Sequence, residues 1–567
     1  MRTHLVIAAA WLGTAFSILG SPASAAADGE ALDPSFGSNG TARTALGFPG
    51  SGSDFIQSLA LQPDGKILAA GAKDTPNYQT GGVSTSALAR YLPNGELDAT
   101  FASGGVFTSD PAGPTRFDRF SSVLVQPDGK PVVAGGSNFL LGPLRFVAQR
   151  LTADGSPDPG FSGDGMQVIN PSPTVSGPYG WGVSNVPDAV LASDGDLIMA
   201  GTGNYETPDS VYNNIAVVRL DSAGTPDPGF GSGGIVNTPM PLPSGFQEGT
   251  SAGAMALQPD GRIVIGGFAN DSNYDFVGIL IRLMPNGTID SSFGAGGVQV
   301  VPSMLWVASL TVASDGRIIA AGRDSNPEAV QSDFAVSRFN SNGSLDSTFS
   351  SDGSISIDFE DDSYGFFPQS AESVVELPNG KIVVAGSGNG FAVARLTSSG
   401  ELDSARALFP GESSGSVPTA LSMVVQPDGK PILGGFESIP GNADGFALKR
   451  VESLGAPDPP PDDPTDPPPD DRTNRPPETK ITKIKVDSKK RRVQITFRGT
   501  DDGGPVASFQ CRLEKSGRFR NCKSPYKKSN LKRGRHELQV RAVDGAGKVD
   551  LSPAKARFTI KKKAKKR

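Results

Sequence analysis

The chain has 567 residues, too many for one ordinary hydrophobic core, so several domains or a repeat array are expected. Its 71 glycines and 47 prolines point to many turns rather than long helices. Only two histidines are present, His4 and His536, which leaves no basis for Ser-His-Asp or Cys-His catalysis or for a His-based zinc site.

Residues 1–25 read as a signal peptide. Arg2 supplies the positive start, Leu5 to Leu19 the apolar stretch, and Ala23-Ser24-Ala25 a small-residue cleavage site before Ala26. The apolar run falls short of the roughly 20 residues a membrane helix needs. No later segment is apolar enough to span, and no cysteine follows the stretch for a lipid anchor. A secreted or extracellular chain, possible at a cell surface, is the expectation.

The next region repeats. Leu61-Gln62-Pro63-Asp64-Gly65-Lys66 precedes the apolar run Ile67–Gly71, and variants recur with their glycine at 129, 195, 261, 316, 380 and 429. Proline presets φ and glycine accepts φ > 0, so each marker is a hairpin turn between two strands. A second marker follows each first one, an apolar strand ending in Arg with an Asp eight residues on. The pairs are Arg90/Asp98, Arg150/Asp158, Arg219/Asp227, Arg282/Asp290, Arg338/Asp346, Arg395/Asp403 and Arg450/Asp458. Phe101, Phe161, Phe230, Phe293 and Phe349 follow in five copies.

Four short strands per copy is the content of a propeller blade. In the second copy they are expected at about 122–126, 131–134, 145–151 and 166–169. The chain opens with half a repeat, Leu32 to Gly37, and its last copy runs into prolines without a fourth strand. A closed ring accounts for both ends, with Thr41–Leu46 completing the last blade against Phe446–Arg450, and closure removes exposed sheet edges. The fold expected is all-β: a seven-bladed β-propeller over 29–455.

Leu-Gln-Pro-Asp-Gly-Lys, an apolar strand ending in Arg-Leu, and the run Asn286 to Val298 resemble the bacterial delta-60 repeat family over roughly Leu32 to Asp458. That resemblance implies a β-propeller in exported bacterial proteins and no particular activity. The copy around Gly400 departs from it, because Ser404-Ala405-Arg406 follows Asp403 where a Phe is expected nearby.

Residues 456–478, rich in Pro and Asp, read as an extended linker. Strand-like runs return over 479–560 at 481–486, 493–498, 508–513, 536–543 and 556–560, suiting a small sandwich. The stretches 509–513, 519–525 and 534–544 resemble a bacterial Ig-like module. Cys511 and Cys522, the only cysteines, are expected to form one structural disulfide. Thr473–Arg567 holds 29 Lys plus Arg against 8 Asp plus Glu, a net of +21, leaving −28 on the rest. The basic tail 561–567 extends this surface.

Within a blade, the turns between strands one and two and between strands three and four lie on one face and are regular here. The connections on the other face vary, and they carry Tyr78, Tyr179, Trp181, Tyr205, Tyr212, Tyr274 and Tyr364 as candidate ligand anchors. Each single aromatic is also a candidate for packing. The Arg/Asp pairs read as structural. Asp358, Glu360, Asp361 and Asp362 form the one dense acidic cluster, a weak candidate calcium site beside the simpler reading of a solvated loop; no other cofactor is expected. The expectation is a binding or adhesion protein whose propeller engages a glycan or protein while the basic module docks on an anionic envelope polymer. The alternative is a secreted hydrolase using carboxylates on the variable face to cut a polysaccharide.

Overall fold

The structure is a computed structural model that describes residues 23–24, 32–46, 54–74, 84–111, 117–138, 145–172, 188–206, 211–237, 239–242, 246–271, 276–325, 332–359, 369–388, 390–408, 418–438, 444–452, 478–500, 506, 508–513, 519–543 and 554–561. Every regular element among them is a strand. The chain divides into two compact units, Met1–Asp458 and Pro459–Arg567.

In the first unit each copy of the repeat is a four-stranded antiparallel meander. The first copy uses Phe55–Leu61, Ile67–Asp74, Ser84–Tyr91 and Val106–Ser109. The second uses Phe117–Val125, Pro131–Asn138, Arg145–Arg150 and Met166–Ile169, so its first two strands start earlier or run longer than expected. The fifth copy, which matters below, uses Met304–Val312, Ile318–Asp324, Phe334–Phe339 and Ser354–Asp358. The sixth copy keeps its fourth strand, Leu402–Leu408, although the Phe is missing.

The last copy takes its fourth strand from the start of the chain. Thr41–Thr44 pairs antiparallel with Phe446–Lys449, as expected from the half repeat. The same closure supplies a partner from the start of the chain. Arg450 is bonded to Asp33, at 3.0 Å, and to the Ser35 hydroxyl at 2.7 Å; Asp458, expected eight residues on, lies outside the described residues. The Asp33 N–H donates to the Arg450 carbonyl at 2.9 Å, as Asp98 does to Arg90 at 2.8 Å. Asp33 stands in the turn position of the motif because the strand it introduces is the one that completes the sheet.

Hydrophobic layers lie between successive meanders. Leu68 and Ala70 pack with Phe120 and Val133 of the second copy, while Ile67 and Ala69 pack with Ile432 and Leu448 of the last. A strand buried on both faces reads as a continuous apolar run instead of an alternating one, which is what Ile67–Ala70 shows.

One glycine in each of six copies is required by this arrangement. In these copies the first strand carries a bulge, seen as register shifts at Ile56/Ser58, Phe120/Ser122, Ala252/Ala254, Val307/Ser309, Ala371/Ser373 and Ala420/Ser422. The bulge drives a backbone carbonyl over the second strand. A Cβ at Gly71, Gly135, Gly267, Gly322, Gly386 or Gly435 would sit 1.8 to 2.1 Å from that oxygen, inside contact distance. The hydroxyl following the bulge accepts an N–H from the next copy: Ser58 from Val123 at 3.1 Å, Ser309 from Val374 at 3.1 Å, and Ser422 from Leu59 at 3.0 Å. The last of these joins the final copy to the first.

The second unit is two packed sheets. Glu478–Asp487, Arg492–Thr500 and Tyr526–Lys528 form one. Arg520–Cys522, Ser508–Leu513, Gly534–Val543 and Ala554–Ile560 form the other. Val493, Ile495 and Phe497 meet Leu538, Val540 and Phe558 in the core between them. The short strands at 520–522 and 526–528 were not expected, since three residues carry no periodicity to read. Cys511 and Cys522 are disulfide-bonded with Cα atoms 5.7 Å apart, as expected. Among the described residues no helix is long and apolar enough to cross a membrane.

Candidate functional site

The repeated Arg and Asp residues are consumed by a clasp between neighbouring copies. Arg90 Nε bonds Asp98 Oδ2 at 2.8 Å and its Nη1 donates to the Ala153 carbonyl of the next copy at 2.6 Å. The guanidinium lies 4.4 Å from the Phe101 ring centroid, and the Ala102 N–H donates to the Asp154 carbonyl at 2.7 Å. Burial alone would raise the Asp98 pKa, but the Thr100 hydroxyl and N–H and the Arg90 charge outweigh it and hold it at about 2. Arg150, Arg282, Arg338 and Arg450 repeat the clasp, with rings of Phe161, Phe293, Phe349 and Phe36 beneath them. With both charges buried and bonded, these pairs hold the ring together and present no ligand site.

The third copy varies the clasp. Where other copies carry Lys or Arg after the Asp-Gly turn, such as Lys130 reaching Asp158 at 3.1 Å, it carries Asp196. Arg219 turns to Asp194 at 2.7 Å and Asp196 at 2.9 Å and holds Asp227 only at 3.2 Å.

On the opposite, variable face the fifth copy brings three carboxylates together. Asp324 ends its second strand, Asp333 precedes its third and Asp358 ends its fourth, so hairpin register places them at one edge. The Ser356 hydroxyl lies between Asp324 Oδ2, at 3.2 Å, and Asp333 Oδ2, at 3.4 Å. The Asp333 N–H donates to Asp324 Oδ1 at 3.0 Å, and Gln369 Nε2 donates to Asp358 Oδ1 at 3.0 Å. Burial, then the charges of Asp324 and Asp358, push the Asp333 carboxyl up to about 6 against the pull of Ser356. A carboxyl raised toward neutrality beside two other carboxyl groups is the kind of pairing that acid/base chemistry uses.

Of the acidic residues expected to act together, Asp358 stands in this group, and Glu360, Asp361 and Asp362 lie outside the described residues. No group of three or more His, Cys, Asp or Glu among the described residues is arranged to hold a metal ion. Asp324 and Asp333 escaped the sequence reading because each is an isolated acid; the signal available was their position, one just after and one just before an apolar strand of the same hairpin.

Tyr78, Tyr179, Trp181, Tyr274 and Tyr364 also lie outside the described residues. Tyr205 and Tyr212 are cross-strand partners in backbone register at the connected end of the hairpin Leu197–Glu206/Val211–Leu220, one pair in from its last, Glu206 with Val211. The sequence reading passed over Phe276, which begins a third strand, is 49% exposed and sits edge-on to Phe268 at 5.1 Å.

Six segments, residues 62–101, 126–161, 192–230, 258–293, 313–349 and 377–405, match the family model described as "Domain of unknown function (DUF5122) beta-propeller". The first five end on the clasp phenylalanine. The match supports a β-propeller. No curated protein is matched. Among solved structures, the chain is similar to the extracellular domain of a hybrid two component system from B. thetaiotaomicron, with 11% identity, a TM-score of 0.30, and coverage of 90% of this chain and 56% of that one. The chain thus spans little more than half of that domain. It is also similar to a PL25 ulvan lyase (10% identity, TM-score 0.40, 72% and 96% covered) and to an α-L-arabinanase from Penicillium chrysogenum (12% identity, TM-score 0.37, 72% and 97% covered). These likenesses are too distant to carry over a substrate or a partner.

Proposed function

We propose that this β-propeller chain is an exported binding protein of the bacterial surface, with seven delta-60-type blades and a C-terminal Ig-like module. Its propeller engages a glycan or protein through the variable face, and its basic module docks on an anionic envelope polymer. The observation that carries this reading is the asymmetry of the propeller's two faces. The regular face is occupied by its own clasps, Arg90–Asp98–Ala153 and its copies, leaving the variable connections as the surface for a partner. Support for seven blades comes from the seven turn glycines and from the bond that returns Leu59 to Ser422. Support for export is the leader pattern over residues 1–25, and amino-terminal sequencing of the protein from culture medium should begin at Ala26.

The test is a glycan and envelope-polymer binding screen with the full mature chain and with the two units separated within 456–478. Retention of a glycan or surface protein by the propeller alone, and of a polyanion by the module alone, is the expected result. Failure of both to retain any probe would refute the reading.

A second reading is favoured by Asp324, Asp333 and Asp358: a carboxylate-dependent hydrolase acting on a polysaccharide. Asp333 would donate the proton to the leaving oxygen and an ionised neighbour would activate water. Asp333→Asn should then abolish release of reducing ends while leaving carbohydrate binding in place; a wild-type chain that releases none from any panel polysaccharide rules this out.

A further inference from the structure

Resting on the docking role given above to the basic module, we propose that the contact surface is the outward face of its three-stranded sheet, and that it takes a linear, base-free phosphodiester polymer. Val493, Ile495 and Phe497 of the central strand are buried in the core, so the alternating Arg492, Gln494, Thr496 and Arg498 point away from it. The register sets Lys480 opposite Arg498, Lys483 opposite Thr496 and Lys485 opposite Gln494, with Lys527 opposite Gln494 on the other side. A bulge at Ile481/Lys483 brings Lys483 and Lys485 onto the same face as Lys480. Lys480, Lys483, Lys485, Arg492, Arg498 and Lys527 are all exposed, and the acids of that strand stand at its two ends, Asp487 in register with Arg492 and Glu478 in register with Thr500.

Cations at alternate positions of one strand stand about 6.7 Å apart, with the next strand about 4.8 Å away. That pitch suits a chain whose phosphates are joined through three-carbon linkers, six bonds from phosphorus to phosphorus. A single-stranded nucleic acid has the same backbone spacing, and its binders add aromatic platforms for the bases. The outward positions just named carry none. The aromatic residue flanked by cations in this module, Phe519, lies against Arg512 at 4.5 Å and Arg541 at 4.3 Å, side chains of the other sheet. A flexible polymer such as a glycerol-phosphate chain therefore fits better than single-stranded DNA.

The experiment measures binding of the full mature chain to purified glycerol-phosphate teichoic acid between 50 and 200 mM salt, ~fourfold in ionic strength. Engagement of six cations should give a slope of log K against log salt of about −4. Lys483→Gln with Lys485→Gln should flatten that slope by about 1.4 and weaken binding several-fold. Lys483→Arg with Lys485→Arg should restore it, and an unchanged thermal transition checks the fold of each variant. Arg535→Gln with Lys555→Gln, on the other sheet, should leave the slope unchanged. If the second pair or removal of 561–567 abolishes binding and the first pair does not, the face is wrong and the docking role survives. Equal or tighter binding of single-stranded DNA, with the same sensitivity to Lys483 and Lys485, overturns the choice of polymer. A wild-type chain that binds no polyanion refutes the docking role itself.

Discussion

Replacing one aspartate in two copies of the same motif separates a buried ion pair from a redundant one. Asp346 and Arg338 have side chains only 7% and 5% exposed and lie 2.8 Å apart, with Arg317 adding a second contact at 2.9 Å. Asp346→Asn leaves the Arg338 charge buried against neutral groups, and losing one side of a buried pair costs about 3–5 kcal/mol. Because Arg338 keeps its bond to the Ser398 carbonyl and Arg317 its contact with Asp315, the lower end, about 3 kcal/mol, is expected. Asp227 is 26% exposed and only 3.2 Å from Arg219, which keeps Asp194 and Asp196 when Asp227 is neutralised. Asp227→Asn should cost no more than about 0.5 kcal/mol. Denaturation midpoints of the two variants by circular dichroism give the comparison. The pH dependence adds a second reading. Burial would raise Asp346, but Thr348, Arg317 and Arg338 outweigh it and hold it well below the usual carboxylate range. Its contribution is therefore complete above about pH 4, the unfolded value, and lost as pH falls through the lower folded value, and Asp346→Asn should remove that part of the acid sensitivity. Equal destabilisation by the two substitutions would refute the reasoning, since it would mean that burial and redundancy of partners do not set the strength of the clasp.

The glycine under the bulge gives a parallel contrast: Gly322→Ala, whose Cβ would lie 2.1 Å from the Trp306 carbonyl, should cost at least about 3 kcal/mol. Gly316→Ala has open space around it but φ of +84°, so about 1 kcal/mol is expected in the same melt. Removing the disulfide by Cys511→Ala with Cys522→Ala should lower the stability of the second unit by about 3 kcal/mol and leave the propeller transition in place; calorimetry resolving both transitions would expose a shift in the wrong one. Asp188 occupies the position of Ser58, Ser309 and Ser422, accepting the Met255 N–H at 2.9 Å, and burial pushes its carboxyl up to about 6. A folded pKa above the unfolded one means stability is lost as pH rises from about 4 to about 6, so Asp188→Ser should stabilise at pH 8 by roughly 2 kcal/mol and have little effect at pH 4; a gain that is the same at both values would show that the charge is not the cause.

Repetition made most of the fold legible in the sequence. The seven turn glycines, the Arg-to-Asp offset of eight and the second-strand glycines such as Gly71 and Gly322 are local requirements, each set by a hairpin or a bulge within one copy, and local requirements recur at fixed spacing. The same logic did not reach the bonds of Arg450 to Asp33 and Ser35. The offset pointed to Asp458, which lies outside the described residues, whereas ring closure delivers Asp33 and Ser35, 415 residues away for the latter, because these partners are chosen by which strand completes the sheet. The carboxylate group was likewise only one-third visible. Asp358 stood out in an acidic run, but Asp324 and Asp333 meet it only through the pairing of strands two, three and four. In the basic module, composition declared the charge and could not say where it faces. That was decided by the register of Glu478–Asp487 on Arg492–Thr500, since a shift of one residue would turn Lys483 and Lys485 from the side of Gln494 and Thr496 to the side of Val493, Ile495 and Phe497.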